Sequence, residues 1–142
     1  MIPIIGKSLH INWDELACKD GANHTVGTPY PIGFINDGRV IELVVMFERI
    51  RQHFGSRPIT INSAYRTKAY NKKIGGAPNS QHLHGKALDL QPPSGMDVTA
   101  FFNELKLNSH WMGFRGLGKY KTFVHCDIRD SKELIIWDLS NG

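Results

Sequence analysis

Ser80-Gln81-His82-Leu83-His84-Gly85-Lys86-Ala87-Leu88-Asp89 sets two imidazoles ahead of a glycine and then runs through small and apolar residues to a carboxylate. Over residues 85–91 the side chains alternate. Lys86, Leu88 and Leu90 fall on one face and Ala87, Asp89 and Gln91 on the other, which is the period of a strand. A carboxylate turned toward a core layer is costly unless it is paired or bound to a metal. Ala87, on the same face, leaves room beside Asp89, and His82 stands at the mouth of the preceding loop.

Working outward, residues 122–128 form a second strand, with Phe123, His125 and Asp127 on one face and Val124 and Cys126 on the other. Should His125 face His82 and Asp89, two nitrogens and one oxygen meet in the open three-ligand pattern of catalytic zinc, with Cys126 turned away. A His–Asp hydrogen bond inside the core fits the same spacing. Residues 58–63 and 134–139 supply two more strands. Between them, 75–79 and 91–95 are Gly- and Pro-rich loops. Val40, Leu43, Val44, Phe47, Ile50 and Phe54 recur at helical steps, so 39–54 is a helix with Asp37 as N-cap and Gly55 as its stop. A second amphipathic helix follows Asp97, through Val98, Phe101, Phe102 and Leu105. The expected architecture is α+β: a small, mostly antiparallel sheet with helices packed on it, in a single domain over 1–142 whose first 38 residues are loop-rich.

Composition agrees with one globular body. At 142 residues and 41% apolar content the chain is long enough to bury a core without staples. No apolar run approaches the length of a membrane span, so no membrane insertion is expected. The opening MIPIIG lacks the basic cluster and long apolar stretch of an export leader. Two cysteines, Cys18 and Cys126, read as free thiols rather than a disulfide framework. The net charge is +4, and from Arg49 to Lys73 seven cations occur with no acidic residue. Such a run suits an anionic partner and equally a solvated face that keeps the protein soluble. Seven histidines are present, but outside His82–Asp89 and His125 none has company that suggests a ligand.

The run from Ile59 to Asp89, with its S-x-H-x-x-G-x-A-x-D pattern, and the later Phe123-Val124-His125-Cys126-Asp127 resemble the M15 family of zinc peptidases. These are D-alanyl-D-alanine carboxypeptidases and related peptidoglycan endopeptidases that share a core fold with the hedgehog signalling domain. Glu15-Leu16-Ala17-Cys18 and Tyr30-Pro31 also look like the family's small, single-domain branch. The resemblance implies one zinc ion on His82, Asp89 and His125. It places Arg66, in Tyr65-Arg66, as a fork that holds a substrate carboxylate or polarises the scissile carbonyl. Ser80 falls on the family's serine before the first histidine, as a substrate or loop contact.

One departure stands out. Several branches carry a glutamate or histidine shortly before the last ligand as general base, whereas Gly118-Lys119-Tyr120-Lys121-Thr122 holds neither. His84, Asp127 and His110 are the candidates for that proton transfer, although Asp127 suits better the role of steadying a ligand histidine. The function implied is zinc-dependent hydrolysis of peptidoglycan stem or cross-bridge peptides by a monomer. A substrate outside the cell and a chain without a leader are reconciled by a phage-type lysin, made in the cytoplasm and released at lysis or carried on the particle. The alternatives are a zinc-binding recognition module of the same fold without turnover and, less favoured, a metal-dependent nuclease. Nucleic acid is not the expected partner.

Overall fold

The computed structural model describes residues 10, 11, 13–19 and 31–141. The expected looseness around Gly21, Gly27 and Pro29, the opening segment and Tyr30 lie outside the described residues. Within the rest of 1–38, two short helices stand where the sequence reads as loop: α1 (Trp13–Leu16) and α2 (Ile32–Asn36).

The two long helices fall where periodicity puts them. In α3 (Arg39–His53) the residues Val40, Leu43, Val44, Phe47 and Ile50 are all buried, with Met46 beside them. Its start differs from expectation. Asp37 closes α2, and Gly38, at φ 84°, occupies the N-cap. Reversing the chain between two helices in so few residues needs a left-handed backbone, which glycine adopts without steric cost. Asp37 still serves α3, because its carboxylate accepts a hydrogen bond from the Arg39 backbone N–H at 3.1 Å. Gly55, at φ 75°, follows the last turn as anticipated.

After a short helix α4 (Lys68–Lys73), the second long helix is α5 (Val98–Met112). The Asp97 carboxylate accepts from the Ala100 N–H at 2.7 Å as its N-cap.

Five strands make one sheet: β1 (Ile61–Ser63), β2 (Ala87–Leu90), β3 (Gly116–Lys119), β4 (Val124–Asp127) and β5 (Ile135–Asp138). Their order is β1-β2-β4-β3-β5, antiparallel except for the parallel β3–β5 pair. The sheet is therefore mostly antiparallel and the fold α+β, as the sequence implies. β1 is shorter than 58–63, consistent with Pro58, which cannot donate to a ladder. β3 has no strand signature, since half of it is glycine.

Leu88, Leu90, Leu117, Val124 and Cys126 share one hydrophobic cluster with Leu43, Phe47 and Ile50 of α3 and Phe101 and Leu105 of α5. Each fully buried side chain of this size contributes ~1.5–3 kcal/mol by leaving water. Cys18 and Cys126 are both buried free thiols, as read. Among the described residues no helix is long and apolar enough to cross a membrane.

Candidate metal centre

The polar residues of β2 and β4 meet because of register. Asp89 pairs directly with His125, and Ala87 with Asp127. The third side chain arrives on a 3-10 turn, Gln81–His84, that immediately precedes β2. Ser80 caps this turn, its hydroxyl accepting from the His82 N–H at 3.2 Å, and Gly85 at φ 65° releases the chain into the strand. His82, Asp89 and His125 are all buried, and one potential ligand atom from each lies within 4.8 Å of the others.

The hydrogen bonds fix which atoms face inward. His82 Nδ1 lies 2.5 Å from the Ala64 carbonyl oxygen, which can only accept, so Nδ1 carries the proton. The lone pair of Nε2 then points at Asp89 Oδ1, 3.0 Å away. His125 Nε2 donates to Asp127 Oδ2 at 2.7 Å, which turns Nδ1 toward the same Asp89 Oδ1, also at 3.0 Å. Two imidazole nitrogens and a carboxylate oxygen thus converge with at most one proton to share. A divalent cation relieves that crowding of lone pairs. Zinc bonds of ~2.0–2.2 Å at tetrahedral angles separate neighbouring ligand atoms by about 3.3 Å, close to the 3.0 Å from each imidazole nitrogen to Asp89 Oδ1. The donor set therefore fits zinc.

Each of the three is held from behind. Asp89 Oδ2 accepts from Arg66 Nη2 at 3.1 Å, which leaves Oδ1 to face the imidazoles. Arg66 is itself fixed by Ser63 Oγ at 3.1 Å and by Asn71 Oδ1 at 3.2 Å. Asn71, buried, donates to the Ala77 carbonyl. Gly76 has no side chain because a Cβ there would lie 2.0 Å from Asn71 Oδ1. Behind His125, the fully buried Asp127 is gripped by Arg129, whose Nε donates to Oδ1 at 2.8 Å and Nη2 to Oδ2 at 2.7 Å.

Electrostatics follow from these partners. Burial alone would raise the Asp89 carboxyl, but the flanking imidazoles of His125 and His82 outweigh it and hold the group well below the usual carboxylate range. Burial opposes ionisation of Asp127 as well, and Arg129 and His125 bring it down to about 2. Burial pushes His82 down, only partly offset by Asp89, so its lone pair stays free. For His125 burial pulls downward, yet Asp127 and Asp89 on either side raise it above its ordinary value. Burial pushes the Cys126 thiol well up, so it is inert on the other side of the strand.

The three residues open onto a cleft of about 700 Å³. Arg66 and Ser80 line it, as do Tyr120, Phe123, Arg129 and Trp137. The proton-transfer candidates are not brought together there. His84 and His110 are exposed and do not line the cleft, and Asp127 sits behind His125. The basic run also divides: Arg66 enters the site, while Arg49 and Arg57 donate to the backbone carbonyls of Trp111, Phe54 and Ser94.

Several functional neighbours carried no sequence signal, among them the Ala64 carbonyl, Asn71, Arg129 and Trp137. Gly116 and Gly118 were the readable clue. A Cβ at Gly116 would fall 2.3 Å from the Asp127 carboxylate, and one at Gly118 2.4 Å from the Trp137 indole. Glycines alternating opposite a histidine and an aspartate mark a strand flattened to make room for them.

A family model described as Peptidase M15 matches residues 9–127, well over half of the chain. A zinc D-Ala-D-Ala carboxypeptidase of Streptomyces albus G is 41% identical over 54 residues. The matched stretch is 37% of this chain and 21% of that protein, so the likeness spans about a fifth of the relative's length.

Proposed function

The chain belongs to the peptidase M15 family, and from that premise we propose that it is a zinc-dependent peptidase acting on bacterial peptidoglycan, at D-amino-acid-containing stem or cross-bridge peptides. The observation that carries this reading is the convergence of His82 Nε2, Asp89 Oδ1 and His125 Nδ1 at the floor of an open cleft.

A zinc ion held by these atoms supplies a Lewis acid that makes a nucleophile of water near neutral pH. The rest is the work of side chains. Ala64 and Asp127 hold the outer nitrogens of His82 and His125, so His82 Nε2 and His125 Nδ1 are the atoms turned to the metal position. Arg66 occupies Asp89 Oδ2 and presents guanidinium charge to the cleft, where it meets a substrate carboxylate or carbonyl. Ser80, on the same rim, shapes the entry to His82 and offers a hydroxyl to the peptide. Trp137 and Phe123 give the cleft an apolar wall against which a stem peptide packs. The relative's printed substrate, D-Ala-D-Ala, supports the same class of peptide. The enzyme is read as a monomer that meets the wall outside the membrane, in the manner of a phage-type lysin.

The test is mass spectrometry of purified muropeptides after incubation with the zinc-loaded protein. Product masses name the bond, and a His82→Ala control leaves the substrate intact. A second reading, a zinc-dependent recognition module without turnover, is favoured by one observation. Apart from the three ligand candidates, the described residues lining the cleft include no carboxylate and no imidazole. Stoichiometric zinc with no muropeptide cleaved selects that reading.

A further inference from the structure

We infer that the Tyr120 hydroxyl is an electrophilic group of the cleft beside Arg66, donating a hydrogen bond to the scissile carbonyl oxygen as charge develops on it. The inference deepens the peptidase reading and rests on it.

Tyr120 directly follows β3, and its backbone N–H donates to the Phe123 carbonyl at 3.0 Å, closing the turn into β4. Its ring lies flat on that of Phe123, with centroids 4.6 Å apart and planes 4° from parallel. The phenol is thus held by backbone and by stacking, as a preorganised donor must be. Its oxygen receives the indole N–H of Trp137 at 3.0 Å. An indole nitrogen can only donate, so the phenol oxygen is the acceptor in that bond and its own O–H remains to be given elsewhere. Both residues line the cleft.

Trp137 is in turn fixed to the metal centre. Gly118 leaves the space its indole fills, Arg129 lies over its ring at 5.1 Å, and the ring stands 5.2 Å from that of His125. The chain His125–Trp137–Tyr120 therefore sets the phenol relative to the floor of the cleft. Arg66 and Arg129 also line the cleft, but each has its guanidinium tied in part to a buried carboxylate, Arg66 to Asp89 and Arg129 to Asp127, whereas the Tyr120 O–H has no such tie. Ser80 also offers an O–H, but a phenol is the more acidic hydroxyl and hence the stronger donor. No bond to Tyr120 forms or breaks in this role; the phenol keeps its proton and stabilises charge.

Tyr120→Phe tests it. With the cleaved muropeptide as substrate, kcat falls about 10²–10³-fold, the loss typical of one oxyanion donor, while KM changes little. A readout free of turnover is the affinity of a phosphinate analogue of the cleaved bond, which carries the tetrahedral oxyanion. It weakens by a comparable factor, while zinc stoichiometry and thermal midpoint stay at wild-type values. Trp137→Phe, which removes the orienting N–H together with part of the ring that packs beside Gly118, gives a smaller fall in kcat in the same direction. Wild-type kcat and wild-type phosphinate affinity in Tyr120→Phe overturn the inference and leave the peptidase reading standing. A rise in KM with kcat unchanged overturns it too, since it shows uniform binding. A wild-type protein that leaves muropeptides intact overturns both.

Discussion

β2 and β4 are buried along their whole length, yet their two faces are held by different physics. On one face Leu88, Leu90, Val124 and Cys126 join the cluster beneath α3 and α5. Those contacts are non-directional, and each tolerates small changes of shape at a graded cost. On the other face Asp89, His125 and Asp127 are buried polar groups joined in one network through Arg66, His82 and Arg129. Removing any member leaves another buried and unpaired, so the cost arrives as a step. Loss of a member of the polar face should therefore remove function, whereas loss from the apolar face should remove stability.

The largest effect expected is that of Asp89→Ala. It deletes the oxygen on which both imidazoles converge and leaves Arg66 without its carboxylate. The protein should lose stoichiometric zinc, read by elemental analysis after dialysis, and muropeptide hydrolysis should drop to background. Retained zinc at wild-type stoichiometry would contradict the assigned ligand set.

Phe101→Ala is the counterpart from the apolar face. Phe101 is fully buried and tilts against Phe54 with centroids 5.1 Å apart. Truncation should cost ~3–5 kcal/mol in chemical denaturation. Below its lowered midpoint the variant should still bind one zinc. If it stays folded but loses the metal, the two faces are more tightly coupled than their separation across the sheet implies.

How far each face was legible in the sequence follows from the same contrast. Burial against a common core imposes a period, so α3, α5 and the alternation in β2 and β4 were readable from residue type alone. His82, Asp89 and His125 were legible as a constellation because strand alternation and the family pattern placed them together. What stayed hidden is whatever depends on a partner distant in sequence. Ala64 contributes only a carbonyl, which every residue has. Arg129 lies outside any regular element, and although 134–139 reads as a strand, nothing in it says that Trp137 meets His125. The expected N-cap at Asp37 moved because a helix-to-helix reversal, not the helix itself, set the conformation of Gly38. His84 and His110 looked suitable by type, but placement in the cleft is a tertiary property that residue type does not encode.

Asp127→Asn probes the polar face most finely, because it keeps the side chain's shape while removing its charge and one acceptor oxygen. Asp127 carries a carboxyl held down to about 2 by Arg129 and His125 against the opposing effect of burial. An unfolded aspartate titrates at ~3.9, so well above that pH both states are ionised and the native network keeps its full advantage, roughly 2–3 kcal/mol from the shift. As pH falls from about 4 toward 2, the unfolded chain takes up a proton that the native carboxylate refuses, and the advantage disappears. In metal-free protein, urea titrations should therefore show wild type more stable than Asp127→Asn at pH 6, with the gap closing between pH 4 and 2. In the zinc-bound state the same substitution should weaken metal affinity ~10–100-fold, because an amide has one acceptor oxygen where His125 and Arg129 donate to two, and its NH2 must face one of those donors. A stability gap unchanged across that acidic window would mean that Asp127 acts by shape alone, and that its charge, set between Arg129 and His125, contributes nothing to holding the polar face together.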